Sequence, residues 1–195
     1  MSAPMVSPAR TFSRTRRVAM VAALVLVLVG LDHLTKWMAI VYLKDHPPII
    51  YLGDLFRLQY ATNTGAFLSL GAGLPEHIRP WLLTGLNGII LTVVALFLIV
   101  RRTVPNAVTL ALALILSGGV GNMIDRIFRD GVVVDFMNIG MPWGPLQIRS
   151  GIFNIADIAI MAGLFLMIGI ELFAPSDKKT TPAAAPAPKE GGASE

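Results

Sequence analysis

Four aspartates stand where an apolar chain tolerates them least: Asp32, Asp125, Asp135 and Asp157 lie within or beside long hydrophobic runs. A carboxylate at the bilayer centre costs about 2.5–3.5 kcal/mol and less toward the interface, so each is by default a candidate functional group. Asp157, in Phe153-Asn154-Ile155-Ala156-Asp157, has no cation near it in sequence, and Asn154 shares its helix face. Such a carboxylate needs either a proton of its own or a second acid with which to share one. Asp135, earlier in the chain and on the same side, is the best-placed second acid. Two carboxyls in contact share one proton. The ionised one can take a proton from water while the protonated one donates a hydrogen bond to a carbonyl, which hydrolyses an amide without a cofactor. Spacing permits this pairing and equally permits a structural role. A coupled pair titrates as a unit, so spacing does not say which partner is base and which is acid. Asp135 follows Asp130-Gly131 in a loop, which would let it move to close the pair.

Two further clusters surround this pair. Asp32, Thr35 and Lys36 fall at i, i+3 and i+4 on one helix face, either as an ion pair at a helix end or as groups that touch a substrate. Gly118-Gly119-Val120-Gly121-Asn122-Met123-Ile124-Asp125-Arg126 places Asn122, Asp125 and Arg126 at the same spacing. Its glycines admit a close backbone, as small residues do at membrane helix contacts. Read alone, this segment favours helix packing capped by an Asp125–Arg126 pair over catalysis.

Composition narrows the chemistry. The chain has 195 residues, 54% hydrophobic and only 14% charged, with a mean hydropathy of +0.67. A soluble domain carries roughly 25% charged residues, so a water-facing surface is not available to this one. With 0 cysteines there is no disulfide, thiolate ligand or cysteine nucleophile. His33, His46 and His77 have no metal-ligand spacing, so neither metal nor cofactor is expected. The net charge of +4 sits beside the apolar runs, which fits membrane topology and not nucleic acid.

The elements that must position these residues are membrane helices, which need about 20 apolar residues each. Trp81–Val100 and Val104–Ile124 carry no charge; Val18–Leu31 continues through Asp32 and Lys36 to about Leu43; Ile152–Phe173 is apolar except for Asp157 and Glu171. The fold expected is an all-α membrane protein with four transmembrane helices. Arg10, Arg14, Arg16 and Arg17, then Arg101 and Arg102, then Lys178 and Lys179 all fall on one side, which makes that side and both termini cytoplasmic. No small-x-small site follows Leu31, so the first span is an uncleaved helix and not a signal peptide. Pro80 and Pro105 stand just inside helix starts. Residues 1–17 form a basic disordered arm, 18–173 the membrane domain with outer loops at about 44–80 and 125–151, and 174–195 a disordered Ala/Pro/Lys-rich tail. In the first outer loop Phe56-Arg57-Leu58-Gln59-Tyr60 alternates as a strand does, Asn63-Thr64-Gly65 reads as a turn, and Phe67–Gly71 as a second extended piece. Val132–Phe136 is another. A small extracytoplasmic β-sheet would lie on the membrane surface.

Five strings occur in order: Asp32-His33-Leu34-Thr35-Lys36, Asn63-Thr64-Gly65-Ala66-Phe67, Gly118 to Arg126, Val133-Val134-Asp135-Phe136 and Phe153 to Asp157. Together, over about residues 18–173, they resemble the bacterial lipoprotein signal peptidases (signal peptidase II). The resemblance implies an inner-membrane aspartic endopeptidase whose active site faces outward. Its substrate would be a diacylglyceryl-modified prolipoprotein, cut just before the lipid-bearing cysteine. Asp135 and Asp157 match the family's catalytic pair, and Asp32, Lys36, Asn63, Gly119, Asn122, Asp125, Arg126, Asn154 and Ala156 match its site-shaping positions. It also implies contact with membrane lipid, binding of globomycin-type inhibitors, and a small outer sheet cradling the substrate.

The chain departs from the pattern at His33, where Gln is common, at the missing Ala before Phe67, and in the proline-braced Met141-Pro142-Trp143-Gly144-Pro145. Two other functions compete. A small transporter or ion relay would spread its ionisable groups through the bilayer, whereas spans two and three hold none. A helix-packing scaffold would tolerate neutral substitutions of Asp135 and Asp157.

Overall fold

The computed structural model describes residues 10–64, 79–141 and 148–173. Long apolar stretches dominate the chain and become four helices: α1 (Arg14–Tyr42), α2 (Arg79–Val100), α3 (Asn106–Phe128) and α4 (Ile155–Leu172). By length and composition α1, α3 and α4 can each cross a membrane, while α2 contributes a shorter apolar stretch, Thr84–Val100. Large side chains such as Leu26, Val27, Val93 and Phe165 point outward, as a lipid environment allows and water does not. This is a multi-pass membrane protein.

Centrally placed, α3 packs most heavily against α4 and then against α1. Its small residues make this possible. A Cβ on Gly118 would overlap the carbonyl oxygen of Ala156, and one on Gly163 of α4 would stand 2.6 Å from the carbonyl oxygen of Ala111. Backbones therefore touch where larger residues would hold the helices apart. On its other side α3 presents Leu116 to a core formed with Leu91 and Leu98 of α2.

Four antiparallel strands in the order β1 (Ile49–Tyr51), β2 (Phe56–Asn63), β3 (Val133–Met141) and β4 (Ile148–Arg149) cap one end of this bundle. Strand β2 pairs Phe56 with Ile139 at one end and Asn63 with Val133 at the other, with an irregularity between Leu58 and Ala61. Ala39 and Leu43, from the end of α1, pack with Phe136 and Met137 and so fasten the sheet to the helices. Phe153, just before α4, exchanges backbone hydrogen bonds with Met137 at 2.9 and 2.8 Å. That clasp fixes the start of α4 beside β3.

Several boundaries differ from expectation. Helix α1 begins at Arg14, not Val18, because Ser13 caps it through Arg16 N and because the buried Arg17 finds the carbonyl oxygens of Leu98 and Arg101. Pro105 is the N-cap of α3, one position outside the helix. Strands β1 and β4 were not foreseen; both are only two or three residues long, too short for an alternating pattern, and each pairs with its neighbour in the chain, β1 with β2 and β4 with β3. Asp135 lies within β3, hydrogen-bonded into the sheet, and not on a free loop. The expected Phe67–Gly71 strand, the Pro142–Pro145 loop, the tail at 174–195 and the first nine residues lie outside the described residues.

Candidate active site

A buried ion cluster forms the base of the site. Lys36 Nζ, fully buried, lies 2.7 Å from Asp32 Oδ2 and 2.8 Å from Asp125 Oδ2, and donates to Asn122 Oδ1 at 3.1 Å. Both acids also accept hydrogen bonds from other elements. Asp32 Oδ1 accepts from the backbone N–H of Ala156 at 3.0 Å, one of the N–H groups that the first turn of α4 leaves free. Asp125 Oδ2 accepts from Val134 N at 3.2 Å, and Oδ1 from Arg129 Nε at 3.1 Å. One cation thus ties α1, α3, α4 and β3 together. His33 stands 3.8 Å from both Asp32 and Asp125.

The expected Asp125–Arg126 pair is not what forms. Lys36, arriving from α1, and Arg129, four residues on along the same face, are the partners of Asp125, whereas Arg126 follows it directly and neighbouring helix positions do not face each other. Arg126 is instead half-buried, within the fields of Asp157, Asp135 and Asp125, and its Nε has no hydrogen-bond partner among the described residues.

Above this base, two asparagines link the aspartates. Asn154 is the N-cap of α4: its Oδ1 accepts from Asp157 N at 2.9 Å, and Asp157 Oδ2 accepts from Asn154 N at 3.1 Å. This reciprocal cap fixes the Asp157 rotamer. The Asn154 Nδ2 donates to Asp135 Oδ1 at 2.6 Å and to Asn122 Oδ1 at 3.0 Å. Asn122 Nδ2 donates to Asp157 Oδ1 at 2.8 Å. Asn63 Nδ2 donates to Asp135 Oδ2 at 3.1 Å, from the diagonal position on β2 that the sheet register provides.

Asp135 is 2% exposed. Burial first, and then the negative charge of Asp157, push its pKa up to about 6, against the pull of Asn63, Asn154 and Lys36. A group titrating there can hold or release a proton near neutral pH. Among the described residues no three His, Asp or Glu side chains converge as metal ligands.

Of the expected positions, Asp32, Lys36, Asn63, Asn122, Asp125, Arg126, Asn154 and Ala156 gather around Asp135 and Asp157. Gly119 does not: a Cβ there would meet the side chain of Leu91, so it serves the α2–α3 contact. The glycine that touches the site is Gly121, where a Cβ would lie 2.8 Å from Asp32 Oδ2. Its i+3 relation to Gly118 was the available signal. Arg129, four residues after Asp125, was also missed.

The family model of signal peptidase (SPase) II, Peptidase_A8, matches residues 24–173. The chain belongs to the signal peptidase II family. It is accordingly a membrane-bound aspartic peptidase. It is 32% identical to a lipoprotein signal peptidase of Mycobacterium leprae over 87% of this chain and 80% of that one. It is 33% identical to one from Borrelia hermsii over 77% and 88%. A solved bacterial membrane enzyme shares its fold with a TM-score of 0.67, 24% identity and coverage of 84% and 93%.

Proposed function

We propose that this peptidase removes the signal peptide of diacylglyceryl-modified prolipoproteins, cutting before the lipid-modified cysteine with Asp135 and Asp157 as its catalytic pair. The observation that carries the reading is the asparagine bridge: Asn154 and Asn122 hold both aspartates, one on β3 and one on α4, around a common point. A proton shared by the pair leaves one carboxylate free to activate water, while the other donates a hydrogen bond to the scissile carbonyl. Burial of Asp135 disfavours its charged form and so favours retention of a proton within the pair. Arg126, with donor capacity to spare, is suited to hold a substrate carbonyl or the oxyanion that develops from it. Asp32, Lys36, Asp125, Asn63 and Ala156 act by fixing the elements that carry these groups.

The site sits at the end of the bundle capped by the sheet, where Arg57, Arg129 and Arg149 are paired with acids, whereas Arg10, Arg14, Arg16, Arg17, Arg101 and Arg102 cluster at the other end. By the positive-inside rule the arginine end is cytoplasmic. With α2 counted as a span, the chain crosses the inner membrane four times, both termini stay inside, and the aspartates face the outer surface. There the precursor's lipid and its scissile bond meet water. Globomycin-type inhibitors would occupy the same place. Purified protein, incubated with a lipid-modified precursor and followed by gel shift, should cleave it. Asp135→Asn and Asp157→Asn should each abolish cleavage while leaving a folded, inserted protein, and turnover by either variant would refute the assignment.

A further inference from the structure

Far from the aspartates, α1 and α2 enclose a groove of about 370 Å³. Val18, Val21 and Val25 of α1 face Leu98 and Ile99 of α2 across it, with Leu116 of α3 behind. Its lining is apolar throughout, and it runs along α1 from Val18 to Leu26, about 12 Å at 1.5 Å per residue. Val18, Ile99 and Leu26 are exposed at its margin, so it opens sideways to the bilayer.

One end of the groove is strongly cationic. Arg14 precedes Val18 by four residues, on the stripe formed by Val18, Val21 and Val25, and is exposed one turn beyond the groove. Arg101 and Arg102 directly follow α2 at the same end and are also exposed, the Arg101 guanidinium resting 5.6 Å from the centre of the Phe97 ring. Between them Arg17 is fully buried, bonded to the carbonyl oxygens of Leu98 and Arg101. It meets no carboxylate among the described residues, and its Nη1 has no hydrogen-bond partner there. At this end of the bundle the one acid described, Glu171, belongs to α4, which lines no part of the groove.

The geometry points to a resident anionic phospholipid: an acyl chain in the α1–α2 groove and its phosphate between Arg14 and Arg101. An apolar slot ending in unneutralised arginines complements a lipid tail below an anionic headgroup. It repels the other apolar candidate, a signal-peptide helix, whose leading segment is itself basic. The site is independent of the peptidase chemistry, since Arg17 and Asp32 stand about 22 Å apart along α1.

The test is native mass spectrometry of the full-length protein released from micelles doped equally with phosphatidylglycerol and phosphatidylcholine of the same acyl chains. One basic side chain beside an anionic surface favours it by about fivefold, so two arginines should favour retained phosphatidylglycerol by roughly 25-fold. In an Arg14→Gln/Arg101→Gln double variant the two lipids should be retained equally. Val18→Trp, which fills the exposed end of the groove, should retain neither; melting temperature in detergent confirms that each variant is folded. Equal retention by the unaltered protein, or a preference unchanged in the double variant, would overturn the proposal. So would displacement of the lipid by an uncleaved precursor, which would make the groove a substrate channel.

Discussion

Asp135 carries a measurable thermodynamic signature. Its folded pKa of about 6 lies above the ordinary 3.8, so its contribution to stability is full below pH 3.8 and is lost as pH rises through about 6. The loss amounts to about 3 kcal/mol, the free energy of a shift of this size. Asp135→Asn cannot ionise. Its melting temperature in detergent should fall less than that of the unaltered protein between pH 4 and pH 8, while cleavage is lost; equal falls would contradict the burial argument. Activity should decline in the same direction, because a shared proton must be present: kcat/KM should drop as pH rises above about 6. The two basic residues at the site should separate by mechanism. Lys36→Met strands Asp32 and Asp125 in a buried setting, and breaking such a pair costs about 3–5 kcal/mol. Arg126→Gln breaks no ion pair of the cluster, so it should lower kcat with a melting temperature near that of the parent. A large loss of stability in Arg126→Gln would restore the Asp125–Arg126 pairing that helix spacing alone suggested.

Helices and strands position the pair through contacts that small residues permit. Gly118 lies against the carbonyl of Ala156. Gly118→Ala should therefore push α4 away from α3, pull Asp157 from Asn122 and lose both stability and cleavage. Gly30→Ala offers the control. Nothing lies within 4 Å of its Cβ position, and in mid-helix alanine is favoured over glycine by roughly 0.5–1 kcal/mol. Its melting temperature should hold or rise, and a marked fall would show that α1 is packed there after all. The sheet end is braced differently. Asp54, held well below its usual range at about 2 by Arg57 and Arg149, ties the turn after β1 to the β3–β4 corner. That network was not visible in sequence, because Arg149 and Asp54 are brought together only by the strand order.

Across the whole molecule, what could be read in advance follows a physical divide. Hydrophobic length located the helices, period-two alternation located β2, and the extended run Val132–Phe136 located the start of β3, since these signals are local. The Asp32–Lys36 pair was legible for the same reason. What escaped were meetings between elements: Lys36 reaching Asp125, Asn154 bridging to Asp135, Gly121 and not Gly119 lying against Asp32. Each depends on the rotation of one helix about another, which no single segment encodes. Resemblance to a family supplied the membership of the site, but the structure supplies its wiring. The most direct check on that wiring is a structure of the protein with a peptide-like inhibitor bound at the outer surface. Carboxyl oxygens of Asp135 and Asp157 should both come within about 3 Å of one inhibitor group, as carboxyls acting on a single carbonyl must. An inhibitor seated between them with only one aspartate in reach, and the other turned away in every state, would contradict it.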